Sequence, residues 1–227
     1  MEGLVQPAYM LPLRLQELRI AWRSDMGRTS EWYARHVGDS FVRTSTAWGY
    51  RARAACKLKR LDAKYGLMSR QCDVLELGSS PGGWSQYISY ERRVSGMAWR
   101  TVSVDMCPMV RLRGVSFVHG DITEAETVAE VSSRLPSGVG LILSDICPIT
   151  SCARYLDSIA PAKVAEALLM VSRRLLLEGG ALLHKTLLVR AEHIASVMER
   201  HFSSVEVYRA ASSRSFNSEA YLLCVGG

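Results

Sequence analysis

The sequence contains no apolar run that approaches the eighteen or so residues of a membrane-spanning helix. Its start also lacks the order of charge, apolar run and small residues that marks a secretory signal. We therefore expect neither a membrane span nor a secreted protein. At 227 residues, 48% of them hydrophobic, the chain is long enough for one α/β domain with a substantial core.

Closely spaced cysteines are missing as well. The six cysteines are dispersed along the chain: Cys56, Cys72, Cys107, Cys147, Cys152 and Cys224. They include no C-x-x-C pair, and several of them stand in apolar, strand-like runs. Reduced core residues fit this pattern better than disulfides or a zinc site. The sequence therefore predicts an intracellular protein, in a mitochondrion or the cytoplasm, and it suggests no metal site.

Lysine is scarce. Only five of the 28 basic residues are lysines: Lys57, Lys59, Lys64, Lys163 and Lys185. Arginine stays protonated in proteins, whereas a lysine can act as a base once its surroundings lower its pKa. Each lysine is therefore a candidate for chemistry that arginine cannot perform. The net charge of +6 permits a polyanionic partner without requiring one.

One glycine-rich loop lacks the signatures of two common nucleotide sites. The stretch VLELGSSPGGWSQY (74–87) has neither the Lys-Ser/Thr ending of a P-loop nor the G-x-G-x-x-G spacing of a dinucleotide site. It does have the order strand, turn, helix, which brings backbone N–H groups close to a cofactor. Gly78, Gly82 and Gly83 can adopt positive φ, and without a Cβ they let a ligand approach the backbone. A purely structural turn is the alternative interpretation.

Strand and helix patterns alternate along the rest of the chain. Strands are predicted at 72–77, 100–104, 115–119, 139–144, 180–186, 203–208 and 219–225, and helices at 11–22, from Ser30, and at about 50–65, 83–92, 123–134, 155–178 and 190–201. This alternation indicates an α/β fold with a mainly parallel seven-stranded sheet and helices on both faces. The last two strands can form a hairpin, which would give an antiparallel edge strand. Residues 30–227 are predicted to form this domain, and residues 1–29 an N-terminal extension.

Four acidic residues fall at or near the carboxyl ends of predicted strands, where such sheets bind ligands: Glu76, Asp105, Asp121 and Asp145. A carboxylate after the second strand can accept hydrogen bonds from ribose hydroxyls, and one after the third can receive an adenine amino group. Helix capping or turn formation is the alternative, and it suits Asp121 almost equally well. Together with the glycine loop, the four carboxylates favour an adenosine-type ligand.

Five motifs, in order, resemble the FtsJ/RrmJ family of RNA ribose 2′-O-methyltransferases, which are Rossmann-like class I enzymes that use S-adenosylmethionine. The motifs are YRARAACKL (50–58), ELGSSPGGW (76–84), SDICP (144–148), LLHKTL (182–187) and NSEAY (217–221). Residues 30–54 also resemble the start of the bacterial-type ribosomal RNA enzymes. The resemblance covers about residues 30–225, nearly the whole domain.

The resemblance implies a catalytic tetrad and a methyl-donor site. The tetrad is Lys57, Asp145, Lys185 and Glu219. The implied donor contacts are Gly78, Ser79, Pro81, Gly82, Gly83, Trp84, Asp105, Asp121, Ile122 and Asp145. Two departures from the family pattern concern the substrate side. Ile149 stands where Asn is usual, and His184 stands where an apolar residue is common, so we expect His184 to be a hydrogen-bonded neighbour of the site rather than a catalyst.

The tetrad suits the chemistry of a ribose 2′-hydroxyl. This hydroxyl is a poor nucleophile, so methyl transfer to it needs in-line alignment and removal of a proton. Lys185 is the candidate general base, and since a free lysine titrates at about pH 10.4, its pKa must be lowered. Burial and the ammonium of Lys57 would lower it, Asp145 would oppose that shift, and Glu219 would hold Lys57. In a milder alternative the tetrad mainly positions the hydroxyl, and the proton leaves late.

The segment RTSTAWGYRARAACKLKR (43–60) mixes basic and aromatic residues. Its candidate contacts to an RNA backbone are Arg43, Arg51, Arg53 and Lys57, and its aromatic residues could stack on bases. A solvated helix face is the alternative interpretation.

We therefore expect an RNA ribose 2′-O-methyltransferase. Large-subunit ribosomal RNA, free or in an assembly intermediate, is the first candidate substrate, and transfer RNA is the second. Two other functions stay open: a ribosome-assembly factor that binds RNA in a mainly structural role, and a small-molecule methyltransferase. The intact tetrad argues against a mainly structural assembly factor. The tetrad and the basic segment together disfavour a small-molecule methyltransferase.

Overall fold

A computed structural model of the chain describes residues 48–96, 98–146, 154–209 and 219–226, with the backbone alone for 154–162. The predicted N-terminal extension, the helices predicted before residue 48, and Arg43 lie outside these residues. So do Ile149 and the segment that joins the last two strands.

The described residues form five α-helices, one 3-10 turn and seven strands. The helices are α1 (Ala54–Tyr65), α2 (Gly83–Ser95), α3 (Ala125–Arg134), α4 (Arg154–Leu175) and α5 (Leu188–Met198), and the 3-10 turn is Met68–Arg70. The strands are β1 (Val74–Leu77), β2 (Thr101–Asp105), β3 (Ser116–His119), β4 (Val139–Ser144), β5 (Leu176–Leu187), β6 (Ser204–Arg209) and β7 (Glu219–Val225).

The strands form one sheet in the order β3-β2-β1-β4-β5-β7-β6. The first five strands are parallel, and β7 runs antiparallel to both of its neighbours. All positions of β1 and β4 are buried, as expected for strands that helices cover on both faces. The predicted hairpin is confirmed, because β6 pairs with β7. β6 forms the edge of the sheet, and β7, which runs opposite to the other strands, lies next to it.

The boundary between α4 and β5 differs from its prediction. The helix ends at Leu175 rather than near residue 178, and the strand begins at Leu176 rather than at 180. Leu176 pairs with Val139 of β4, and the register between the two strands shifts before the pairing resumes. Pairing with a neighbouring strand thus outweighs the helical preference of the sequence Leu-Leu-Glu that precedes the glycines.

Side chains of the central strands alternate between two apolar clusters. Leu141 and Leu143 pack with α1 and α2 on one face of the sheet, whereas Ile142 packs with α3, α4 and α5 on the other. The face that α1 and α2 cover also carries the candidate site. None of the described helices is long and apolar enough to cross a membrane.

Candidate active site

Strand periodicity brings three members of the tetrad to the same face of the sheet. In β5, Leu183 packs in the cluster under α1 and α2, so Lys185, two residues on, points to that face too. In β7, Tyr221 lies in the same cluster and pairs directly with Lys185, and Glu219 precedes it by two residues. Asp145 comes directly after the last residue of β4. It points to the same face, because Leu143, two residues before it, belongs to that cluster.

The tetrad consists of two ion pairs. The Lys185 Nζ pairs with Asp145 Oδ1, and the Lys57 Nζ on α1 donates to Glu219 Oε2. The four side chains are 17% to 29% exposed, so the pairs are largely shielded but open to an incoming substrate. The Tyr221 hydroxyl donates to the same Glu219 oxygen over 3.2 Å. The structure therefore brings together all four residues that the sequence predicted.

The pKa values of the two carboxylates shift in opposite directions. Burial raises the pKa of Asp145, and the charges of Lys185 and Lys57 offset only part of that rise. Burial also raises the pKa of Glu219, but the hydrogen bond and charge of Lys57, together with the charge of Lys185, outweigh it and lower the pKa overall. Glu219 is thus firmly ionised, as a residue that holds an ammonium group must be.

His184 points away from the tetrad. It pairs with Ser144 in the sheet, its ring is buried, and its Nδ1 lies 3.1 Å from the Ser144 Oγ. Burial and the charge of Lys185 lower the pKa of His184 to about 3, so the ring stays neutral. It is the hydrogen-bonded neighbour that the sequence predicted, not a proton-transfer group.

The glycine loop lies beside the tetrad because Gly78 touches the end of β4. Gly78 has φ +76°, and a Cβ there would lie 2.8 Å from the Ile146 amide and 3.0 Å from the carbonyl carbon of Asp145. Gly82 has φ +105° and precedes the first residue of α2. A Cβ on Gly83 would lie 2.9 Å from the Cβ of Ala52, in the segment that leads into α1. The loop therefore needs glycine for close packing against the acceptor side of the site.

Three polar groups in and beside the loop can bind a ligand. No side chain among the described residues caps the N-terminus of α2, which leaves its first N–H groups available to a carboxylate. Asp105 accepts hydrogen bonds from the amides of Ser80 (2.8 Å) and Cys107 (2.7 Å) and keeps lone pairs for ribose hydroxyls. The third group is the buried carboxyl of Glu76.

Glu76 has one satisfied and one unsatisfied oxygen. Its Oε2 accepts hydrogen bonds from the hydroxyls of Ser85 and Ser103, the latter over 2.6 Å. Its Oε1 is buried and has no hydrogen-bond partner among the described residues. Burial raises the pKa of Glu76 to about 7, which a nearby cation would lower again. A ligand with a carboxylate, an ammonium group and a ribose, such as S-adenosylmethionine, fits this set of groups.

A model of the family described as FtsJ-like methyltransferase matches residues 50–227. The chain belongs to this family. The ribosomal RNA large subunit methyltransferase E of Tremblaya princeps is 90% identical over 201 residues, which are 88% of this chain and 100% of that protein. The enzyme of the same name from Neorickettsia sennetsu is 36% identical over 202 residues, which are 87% of this chain and 92% of that protein.

Solved structures show the same fold. A Plasmodium falciparum protein described as a ribosomal RNA methyltransferase aligns with a TM-score of 0.68 and 23% identity, over 78% of this chain and 98% of that one. The N-methyltransferase NodS of Bradyrhizobium japonicum, in complex with S-adenosyl-L-homocysteine, aligns with a TM-score of 0.50 and 16% identity, over 92% and 96%. The Rossmann-like fold is confirmed, and the chain is an S-adenosylmethionine-dependent methyltransferase.

Some predicted donor contacts have structural roles in this methyltransferase. The Trp84 indole is buried and donates to the Ala54 carbonyl over 2.9 Å, so it ties α2 to α1. The Asp121 carboxylate accepts from the Thr123 amide over 2.9 Å, which is the turn that the alternative interpretation predicted. The Ile122 side chain packs in the core beneath α3 to α5.

Two further loop residues differ in whether their polar atoms have partners. The Ser79 hydroxyl oxygen is buried and, like Glu76 Oε1, has no partner among the described residues. The Pro81 carbonyl accepts from the Arg51 guanidinium over 3.4 Å.

Several residues that support the methyltransferase site were not predicted from the sequence. Ser85 and Ser103 hold Glu76, Tyr221 supports Glu219, and Met109 lies beside Ser85, with 3.8 Å between the thioether sulfur and the hydroxyl. Tyr221 could have been found, because it closes the motif NSEAY. The serines carry no local signal: they become partners of Glu76 only when β1, β2 and α2 pack together.

Proposed function

We propose that this methyltransferase transfers a methyl group to a ribose 2′-hydroxyl in large-subunit ribosomal RNA. The observation that carries the proposal is the pair of ion pairs, Lys57–Glu219 and Lys185–Asp145, beside the glycine loop. The names of the two relatives support the RNA substrate. Methyl transfer to a hydroxyl needs a group that takes up a proton close to the donor, and the tetrad supplies two lysines there.

When bound, S-adenosylmethionine supplies a methyl group that its sulfonium has already activated. The residues of the chain then have three tasks. Lys57, held by Glu219, donates a hydrogen bond that orients the 2′-oxygen. Lys185, in its neutral form, accepts the hydroxyl proton as the new O–C bond forms and the S–C bond breaks. Asp145 stabilises the ammonium that results, which must return its proton to solvent before the next turnover.

The basic side of α1 supports contact with an RNA backbone. Arg53 is exposed and lies one turn before Lys57. Burial and the charge of Glu219 raise the pKa of Tyr221, and the charge of Arg53 acts against this rise, so Arg53 lies near the tetrad. A guanidinium at the mouth of the site suits a phosphate next to the reacting ribose.

The free thiols of Cys56, Cys72, Cys107 and Cys224 support our proposal that the protein lies inside the cell.

The proposal is tested by methyl transfer from labelled donor to large-subunit ribosomal RNA, both naked and in assembly intermediates. Lys185→Ala should lower kcat by at least roughly a hundredfold, the usual minimum for loss of a general base. The matched control is Lys64→Ala, since Lys64 is also a lysine paired with a glutamate, Glu206, but is exposed. The control should keep its activity within about twofold.

The product must be mapped as a 2′-O-methylated ribose. If the wild type binds RNA but transfers no methyl group, a ribosome-assembly factor is favoured instead. If it methylates only small molecules, a small-molecule methyltransferase is favoured. Depletion of the protein in its host should remove one 2′-O-methylation from large-subunit ribosomal RNA. If every such site persists, the proposal is wrong.

A further inference from the structure

We propose that Arg51 is a positioning residue that fixes the two loops of the methyl-donor site to each other and to the segment that leads into α1. The inference rests on the donor site assigned above, not on the identity of the acceptor. It gives Arg51 a different role from the RNA contact that the sequence predicted.

The Arg51 guanidinium spans the glycine loop and the loop between β2 and β3. Its Nη1 donates to the Val110 carbonyl over 2.6 Å and to the Pro81 carbonyl over 3.4 Å. Its Nη2 donates to the Arg111 carbonyl over 3.2 Å. One planar fork therefore bonds two segments that are about thirty residues apart in the chain, a geometry that a lysine ammonium cannot reproduce.

The backbone around Arg51 is fixed as well. The Arg51 amide donates to Gln86 Oε1 over 2.9 Å, and Gln86 Nε2 donates to the Gly49 carbonyl over 3.0 Å. Gln86 thus holds the segment on α2 from both sides, and burial lowers the pKa of Arg51. The backbone that carries the guanidinium is therefore held in place by hydrogen bonds to α2.

The space above the glycine loop is shaped around this side chain. A Cβ on Gly82 would lie 2.9 Å from the Arg51 Nη1 and 2.9 Å from the Met109 sulfur. Gly82 is the residue at the N-terminus of α2, where we expect the donor carboxylate. Arg51 and Met109 together therefore limit how far this turn can move.

Few other bonds join the two loops. The Ser80 amide donates to Asp105 Oδ2 over 2.8 Å, and the Ser80 hydroxyl donates to the Pro108 carbonyl over 3.4 Å. Both lie close to β2, whereas the bonds of Arg51 reach residues 110 and 111. Without Arg51 the distal part of the loop loses its connection to Pro81, and Asp105 and Gly82 lose part of their fixed spacing. Donor affinity should fall, since pre-organisation of a binding site contributes to affinity.

Arg53 provides a matched comparison two residues along. It is exposed, precedes α1, and lies near Tyr221 rather than near the donor loops. The two arginines therefore act on opposite sides of the reaction: Arg51 on the donor and Arg53 on the acceptor.

The test is binding of S-adenosylhomocysteine to the full chain, measured by calorimetry without RNA. Arg51→Ala should weaken Kd about tenfold, the effect of losing one to two net hydrogen bonds. Added guanidinium at about ten millimolar, well below the molar range that unfolds domains, should restore part of the affinity. Arg53→Ala should leave this Kd within about twofold and raise KM for RNA instead.

Thermal unfolding of each variant keeps the result interpretable. If Arg51→Ala does not fold, Arg51→Lys takes its place, and its Kd should still rise because the ammonium lacks the planar fork. Wild-type Kd in a folded Arg51 variant, or a change confined to KM for RNA, would overturn the inference. If the wild-type protein binds S-adenosylhomocysteine but methylates no RNA, the proposed function is refuted and this inference still stands.

Discussion

At the scale of single residues, burial alone does not show what a titratable group does. Glu76 and His184 are both fully shielded, and burial shifts the pKa of each toward the neutral form. The difference lies in the hydrogen bonds. His184 is satisfied by Ser144, whereas one oxygen of Glu76 has no partner among the described residues. An unsatisfied buried acceptor beside a glycine loop indicates a ligand, and a satisfied one indicates the core.

Glu76→Gln should change how stability depends on pH. The pKa of Glu76 rises from its ordinary 4.5 to about 7 on folding, so the folded state binds more protons than the unfolded state between these values. Wild-type stability therefore contains a contribution that is present below pH 4.5 and lost as the pH rises through 7, about 3 kcal/mol in all. The glutamine cannot ionise and loses nothing.

Urea unfolding of both proteins at pH 4.5 and pH 8 measures this effect. The difference in free energy of unfolding, variant minus wild type, should become more positive by about 3 kcal/mol toward pH 8. Taking the difference cancels the opposite contribution of His184, whose lowered pKa makes stability fall as the pH drops from its usual range toward 3. An unchanged difference across this range would show that Glu76 is ionised at no cost in the free protein.

At the scale of elements, the site lies at the edge of the sheet where β4 and β5 approach their carboxyl ends and β7 begins. β4, β5 and β7 each place a buried residue under α1 and α2, two positions from a tetrad member on the same face. Leu143 precedes Asp145 and Leu183 precedes Lys185, whereas Glu219 precedes Tyr221 because β7 runs in the opposite direction. The turn after β1 must then pass close to the end of β4. Gly78 permits this approach, so the donor loop and the tetrad share one contact.

Gly78→Ala should damage activity more than its loss of stability explains. An alanine at φ +76° costs about 1–2 kcal/mol, and the short contacts with the backbone of Asp145 and Ile146 add about 1–3 kcal/mol. Relief of those contacts must move Asp145, and misplacement by about 1 Å can lower the rate roughly a hundredfold.

Gly96→Ala is the matched control, because Gly96 has φ +68° at the end of α2 but nothing within 4 Å of its Cβ position. It should show the backbone cost of about 1–2 kcal/mol with kcat unchanged. Equal losses of kcat in the two variants, compared at a temperature where both are folded, would refute the link between Gly78 and Asp145.

At the scale of the whole molecule, the sequence predicted the features that depend on local pattern. The seven strands and the strand-end acids follow from periodicity, and the four tetrad residues follow from motifs with a family resemblance. What it could not predict arises from packing between distant segments. Arg51 has the spacing and charge of an RNA contact, yet its bonds go to Pro81, Val110 and Arg111. Trp84 fits a ligand contact by position, yet its indole holds Ala54.

The charge of the chain should separate acceptor binding from donor binding. A basic stripe on one side of α1 consists of Arg53, which precedes the helix, and of Lys57 and Arg60, spaced three or four residues apart, and the chain as a whole carries a net charge of +6. RNA that lies along this stripe releases counterions, so its affinity must fall with salt. If about three phosphates of a single strand are neutralised, KM for RNA should rise roughly 20-fold between about 50 and 200 mM salt.

Binding of S-adenosylhomocysteine should change little over the same range, since the groups assigned to it are mostly backbone amides, hydroxyls and the carboxylates of Glu76 and Asp105. Removal of one phosphate contact in Arg53→Ala should lower the logarithmic salt slope for RNA by about 0.7. Arg134→Ala, on α3 at the opposite face of the sheet and paired with Glu130, should leave the slope unchanged. If the slope falls equally in both variants, RNA affinity depends on the total charge of the protein, and RNA does not bind along the stripe on α1.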